Sequence, residues 1–140
     1  MIDDPRNALT TKSKIIMGVD DTPENLHFLK RAIEAGGYTF VAATNGHECL
    51  TMLGRITPKL LLLDIEMEPI DGFETCRRIR RIAGLEQLPI AFLTARKTAE
   101  DVEAGLGAGG NDFIVKPYSI AKLRERVEYW MTHRPRPAAA

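Results

Sequence analysis

The sequence has little of what marks several protein classes. It holds two cysteines, Cys49 and Cys76, in 140 residues. Two thiols make neither a disulfide framework nor a zinc site. Both sit in amphipathic stretches, where a cysteine serves as a small buried hydrophobe. No apolar run nears the roughly 18 residues of a membrane span, and the opening segment, Met1 to Lys14, is too polar for a signal peptide. A reducing, cytoplasmic setting away from membranes is therefore expected. Charge of one sign is missing too, since 19 Lys and Arg face 19 Asp and Glu. That balance removes the basic surplus with which proteins grip nucleic-acid phosphates. It also removes the acidic excess of a disordered tail protein.

What is present suits one globular domain. A chain of this length with 44% apolar residues can bury a sizeable core without a covalent staple. Five short apolar runs recur: Ile15–Val19, Tyr38–Ala43, Leu60–Leu63, Pro89–Leu93 and Phe113–Val115. They are continuous rather than alternating, which suits strands buried on both faces of a parallel sheet. Between them, apolar residues follow the helical period. The sets are Leu26, Leu29, Ala32 and Ile33; Leu50, Leu53 and Ile56; Phe73, Cys76, Ile79 and Ala83; Ala99, Val102 and Leu106; and Ile120, Leu123, Val127 and Trp130. Thr22 stands as a capping hydroxyl before the first-turn Pro23, and Gly36-Gly37 ends the first helix. Strict alternation predicts a doubly wound α/β fold, a five-stranded parallel sheet with right-handed crossovers and helices on both faces. Residues 1–13 are expected to be a flexible polar extension and 14–132 the domain. Residues 133–140, with Arg134-Pro135-Arg136-Pro137 and three alanines, are expected to be a loose tail.

The chemistry-bearing residues follow the strands. Asp20-Asp21 come after the first, Asp64 ends the third, Thr94 ends the fourth, and Lys116-Pro117 follow the fifth. In open α/β sheets, ligands bind beyond the carboxyl ends of the strands, where the strand order reverses. If the first and third strands are neighbours there, three carboxylates converge, with a hydroxyl and an ammonium alongside. Converging carboxylates raise one another's proton affinity. A hard divalent cation with oxygen ligands, such as Mg²⁺, resolves the repulsion. A carboxylate beside such an ion, with Lys and Thr near, can attack phosphorus and become an acyl phosphate. Singly, each of these is an ordinary turn or cap residue; their joint placement carries the argument.

The segments Val19-Asp20-Asp21, Leu61 to Met67, Asp71-Gly72, Leu93-Thr94-Ala95 and Gly110 to Tyr118 together resemble the receiver domain of two-component response regulators. The resemblance spans residues from about 14 to 131. It implies a flavodoxin-like fold with strand order 2-1-3-4-5. It further implies a cytoplasmic signalling phosphoprotein that is no enzyme beyond its own phosphorylation and dephosphorylation. Asp64 would be the phosphoacceptor. Asp21, Asp20 (mainly through water), Asp64 and the backbone carbonyl of Glu66 would hold Mg²⁺, with Mn²⁺ able to substitute. Thr94 and Lys116 would bind the phosphoryl oxygens, and Thr94 with Phe113 would form the switch. A cis bond at Pro117 would aim the ammonium into the site. The implied partners are a histidine kinase or phosphotransfer protein and a downstream protein, reached through the surface of the fourth helix, fifth strand and fifth helix. The protein would have no DNA-binding domain of its own, as a monomer or a phosphorylation-dependent dimer. A receiver excised from a longer regulator stays open, as does, distantly, an aspartyl-phosphate phosphohydrolase.

The chain departs from the family pattern in places. Glu68 stands where the loop after the acceptor usually carries proline, and Pro69 follows, so a local change of path is expected. Glu66 and Arg96, each two residues past a site residue, would tune dephosphorylation, and they are expected to pair over the site. Phe113 lacks the phenolic hydroxyl of the commoner Tyr. Arg77, Arg78, Arg80 and Arg81 are expected to fan outward around the inward Ile79.

Overall fold

The computed structural model describes residues 14–135. The extension expected over 1–13 and residues 136–140 of the tail lie outside the described residues. The elements alternate: β1 (Ile15–Val19), α1 (Pro23–Ala35), β2 (Thr39–Ala43), α2 (Gly46–Leu53), β3 (Leu60–Asp64), α3 (Gly72–Arg80), β4 (Ile90–Thr94), α4 (Ala99–Gly107), β5 (Asp112–Val115) and α5 (Ile120–Thr132). The strands form one parallel sheet in the order β2-β1-β3-β4-β5. The chain reverses direction across the sheet between β1 and β3, so a crevice opens at their carboxyl ends.

The continuous apolar runs are buried on both faces. Leu60, Leu61, Leu62 and Leu63 are all fully buried. Successive side chains alternate between two cores. Leu61 and Leu63 join Met17, Val19 and Phe92 under α2 and α3. Leu60 and Leu62 join Ile16, Leu93 and Ile114 under α1 and α5. Each such leucine contributes about 2 kcal/mol through burial, so β3 is firmly anchored, and it presents Asp64 at its end. No helix of the described residues is long and apolar enough to cross a membrane.

Four helices open on side-chain caps: Asn45, Asp71, Thr98 and Ser119 accept from the N–H three residues on. Thr22 differs from the expectation. It occupies the N-cap position of α1 without a side-chain cap bond. Its hydroxyl donates to Asp21 Oδ1 at 3.4 Å, and its own N–H donates to Asp20 Oδ1 at 2.9 Å. The aspartates draw the threonine toward the crevice.

Other expectations are corrected. Ile56 lies beyond the end of α2 at Leu53, and Ala83 lies in the turn after Arg80. On α4 the buried residues are Asp101 and Gly105, whereas Leu106 is 54% exposed. Ile120 is likewise exposed at the start of α5. Arg80 does not fan outward. Its Nε donates to the Gly109 carbonyl at 2.9 Å, and its terminal nitrogens donate to the Leu85 carbonyl at 2.8 Å and to Asn111 Oδ1 at 2.9 Å. Asn111 Oδ1 also accepts the Ile90 N–H, so one guanidinium ties α3 to the loop ahead of β5. Burial pulls the pKa of Arg80 below the usual arginine value. Arg77, Arg78 and Arg81 instead gather around Glu74, at 2.9, 2.8 and 3.7 Å. The hydrogen bonds from Arg78 and Arg77 hold the Glu74 carboxyl below its ordinary pKa.

Candidate functional site at the carboxyl edge of the sheet

Asp20, Asp21 and Asp64 meet in the crevice. One carboxylate oxygen from each lies within 4.8 Å of the others. Asp20 is fully buried and Asp64 is 6% exposed, while Asp21 faces outward. The backbone places them. The Asp20 N–H donates to the Ala43 carbonyl at 3.2 Å, holding the end of β1 beside β2. Asp64 is still paired in the β3–β4 register, opposite Leu93. Past Asp64 the loop turns back tightly, with the Gly72 N–H donating to the Ile65 carbonyl at 2.8 Å. A Cβ at Gly72 would overlap the Asp64 carbonyl oxygen, so the loop closes this far only on glycine. In this loop the Glu68–Pro69 bond is cis.

Lys116 enters from β5. Its N–H donates to the Thr94 carbonyl at 2.8 Å, and the Lys116–Pro117 bond is cis. The ammonium lies 3.3 Å from Asp64 Oδ1 and 3.5 Å from Asp20 Oδ2. One ammonium thus serves two buried carboxylates. Burial, chiefly, and then the Asp20 charge push the Asp64 pKa up to about 6, against the opposing pull of Lys116. Burial, with the charges of Asp20 and Asp64, pushes the Tyr118 phenol up to about 12. The crevice therefore holds more negative charge than its lysine offsets. An all-oxygen donor set with surplus negative charge fits a hard divalent cation.

Thr94 is 2% exposed, and its hydroxyl oxygen accepts the Arg96 N–H at 2.7 Å. Phe113 is half-buried, its ring 5.3 Å from that of Phe92. Glu66 is exposed. The expected pair of Glu66 with Arg96 is absent among the described residues. Arg96 turns instead to Asp101, at 2.6 Å, with its guanidinium carbon 5.7 Å from the centre of the Phe73 ring. Asp101 offers a buried, hydrogen-bonded carboxylate on the capped first turn of α4, where Glu66 offers a solvated one. An exposed pair is worth little.

Residues passed over in the sequence also belong here. Asn25 Nδ2 donates to Asp20 Oδ2 at 3.1 Å. The signal was a polar residue in the first turn of a helix whose cap already faces the crevice. Asp101 carried only the signal of an acidic first turn.

A model of the response regulator receiver domain matches residues 16–128. The response regulator MprA of Mycobacterium leprae is 38% identical over 112 residues, which are 80% of this chain and 48% of that protein. The chain thus spans about half the length of that relative. The receiver domain of sensor histidine kinase PA1611 from Pseudomonas aeruginosa, solved with a magnesium ion in its active site cleft, superposes with a TM-score of 0.80. It is 27% identical, and the match covers 86% of this chain and 99% of that one. The chemotaxis protein CheY4 of Vibrio cholerae has the same fold, with a TM-score of 0.81 at 22% identity over 84% of this chain and 98% of that one. The aspartate cluster, the lysine between two of its members and the 2-1-3-4-5 sheet agree with these matches: the chain belongs to the response regulator receiver domain family, whose general function is phosphoryl-accepting signalling.

Proposed function

We propose that the protein is a phosphorylation-controlled switch. It takes a phosphoryl group onto Asp64 from a phosphohistidine of a histidine kinase or phosphotransfer protein. The observation that carries this reading is the shared ammonium: Lys116 spans Asp64 and Asp20 at 3.3 and 3.5 Å, in a pocket whose acidity it leaves uncompensated. Asp20, Asp21, Asp64 and the carbonyl of Glu66 would hold Mg²⁺, which would offset charge on the transferring group. Asp64 Oδ attacks phosphorus, the phosphorus–nitrogen bond of the donor breaks, and the freed imidazole takes up a proton. The product is an acyl phosphate. Lys116 and Thr94 engage its oxygens, Phe113 follows Thr94, and the α4–β5–α5 surface repacks as a population shift. What that surface then engages is either the remainder of a longer regulator or a separate protein; the half-length match to MprA favours neither for the chemistry at Asp64. Glu66 and Arg96 would tune the lifetime of the acyl phosphate separately, since they do not pair.

Incubation with Mg²⁺ and acetyl phosphate, read by intact mass, tests this. One added phosphoryl group is expected, lost in Asp64→Ala and without Mg²⁺. A modification that survives Asp64→Ala removes the assignment.

A further inference from the structure

Arg96 does not reach over the site to Glu66. It closes a chain of contacts that runs from Thr94 to the first turn of α4. The Thr94 hydroxyl oxygen is captured by the backbone N–H of Arg96 at 2.7 Å. The side chain of that same arginine donates to Asp101 Oδ1 at 2.6 Å and lies over the Phe73 ring. The second oxygen of Asp101 accepts the Thr98 hydroxyl at 2.7 Å, and Thr98 Oγ1 accepts the Asp101 N–H at 3.1 Å. The segment between Thr94 and α4 is therefore tied at both ends. A short loop held this way shifts its Arg96 N–H against the restraint of a charge-assisted bond.

We propose that Asp101 is a positioning residue for Thr94. By holding the Arg96 side chain it fixes the N–H that captures the Thr94 hydroxyl, and it thereby opposes the turn of that hydroxyl toward a phosphoryl group on Asp64. This rests on the reading of Asp64 as acceptor. Thr94 can leave the Arg96 N–H only by giving up that hydrogen bond, or by taking the loop with it. The first route costs a hydrogen bond, and the second costs the contact with Asp101. Releasing Arg96 makes the second route easier, so the phosphoryl-bound arrangement gains population without any change in the groups that touch the phosphoryl.

A rival role for Arg96 predicts the opposite sign. If its charge acted on the phosphoryl group directly, removing that charge would weaken binding. Beryllium fluoride with Mg²⁺ serves as the phosphoryl stand-in, and ¹⁹F NMR reads the bound fraction on the full chain. Arg96→Met keeps an unbranched apolar stem near Phe73, and Asp101→Asn keeps an acceptor for the Thr98 hydroxyl. Each is expected to lower the half-saturating concentration by about two- to fivefold, the scale of a partly exposed ion pair. Combined with Thr94→Ala, neither is expected to change it. A rise in Arg96→Met, no change in both variants, or a gain that persists with Thr94→Ala overturns the proposal. No bound signal in the parent, or one retained by Asp64→Ala, overturns the acceptor reading itself and this inference with it.

Discussion

Asp64, at the carboxyl end of a central strand, and Asp112, at the amino end of an outer one, are served very differently. Asp112 opens β5. Its Oδ2 accepts from Arg126 Nε and Trp130 Nε1, both at 2.7 Å, and its Oδ1 accepts the Phe113 N–H at 2.8 Å. Three well-made bonds clamp α5 to β5, and Arg126 supplies a matching charge. Asp64 closes β3 with an ammonium at 3.3 Å that it shares with Asp20. A saturated carboxylate contributes to stability, while an under-served one stores repulsion that a cation or a phosphoryl group can relieve. The two aspartates show which acidic groups of this chain hold the fold and which are available for chemistry.

Removing each carboxylate should break the comparison in opposite directions. Asp112→Ala strands the Trp130 indole N–H and leaves Arg126 without its carboxylate. The loss should be the largest considered, about 3 kcal/mol, read as a lower urea midpoint with an unchanged slope. Asp64→Asn should instead stabilise, by about 2 kcal/mol at pH 7 in chelator. The direction follows from a folded-state pKa raised to about 6. Below about pH 4 the carboxyl is protonated both folded and unfolded, and its burial then costs little. As pH rises from there through about 6, the unfolded chain ionises first and the folded state is penalised. The advantage of Asp64→Asn should thus fade as pH falls from 6 to 4. An advantage that persists at pH 4 would assign it to new amide contacts and remove the stored-repulsion account.

Adding Mg²⁺ sharpens the same contrast. A cation that binds the folded crevice raises stability by about 1.4 kcal/mol at ten times its Kd. The parent and Asp112→Ala should gain equally, because the clamp is far from the carboxylate cluster. Asp64→Asn should gain much less, having lost both a ligand and a charge. Equal gains in all three, followed by thermal unfolding against Mg²⁺ concentration, would place the ion elsewhere.

The strands were legible because they are buried on both faces, so apolar runs such as Leu60 to Leu63 carry their own signal. The site was legible for the related reason that its residues are the first polar ones after those runs. What could not be read were contacts whose partners lie far along the chain or carry no hydrophobicity. Arg80 looks like its arginine neighbours in sequence, yet it bonds to Gly109 and Asn111, whose approach depends on the finished sheet. Arg96 was expected to meet Glu66, and its turn to Asp101 depends on burial. The inward face of α4 was misread because Gly105 has no side chain to contribute to a periodicity, so the exposed Leu106 carried the pattern instead.

That glycine gives the smallest effect. A Cβ at position 105 would overlap the ring of Phe113 and come within 3.0 Å of Phe92 Cε2. The notch in α4 is thus the seat of the Phe113 ring, one residue from the Asp112 clamp. Gly105→Ala gains about 1 kcal/mol of helix propensity and loses about 2 kcal/mol to crowding between two aromatic rings, a net loss of about 1 kcal/mol. With Phe113→Ala the severest crowding goes and only the contact with Phe92 remains, so the same substitution should then stabilise by up to about 1 kcal/mol. That reversal would assign the seating of the ring to the notch. If Gly105→Ala destabilises equally in both backgrounds, Phe92 alone sets the spacing, and the ring of Phe113 is held through the Asp112 clamp on its own backbone N–H.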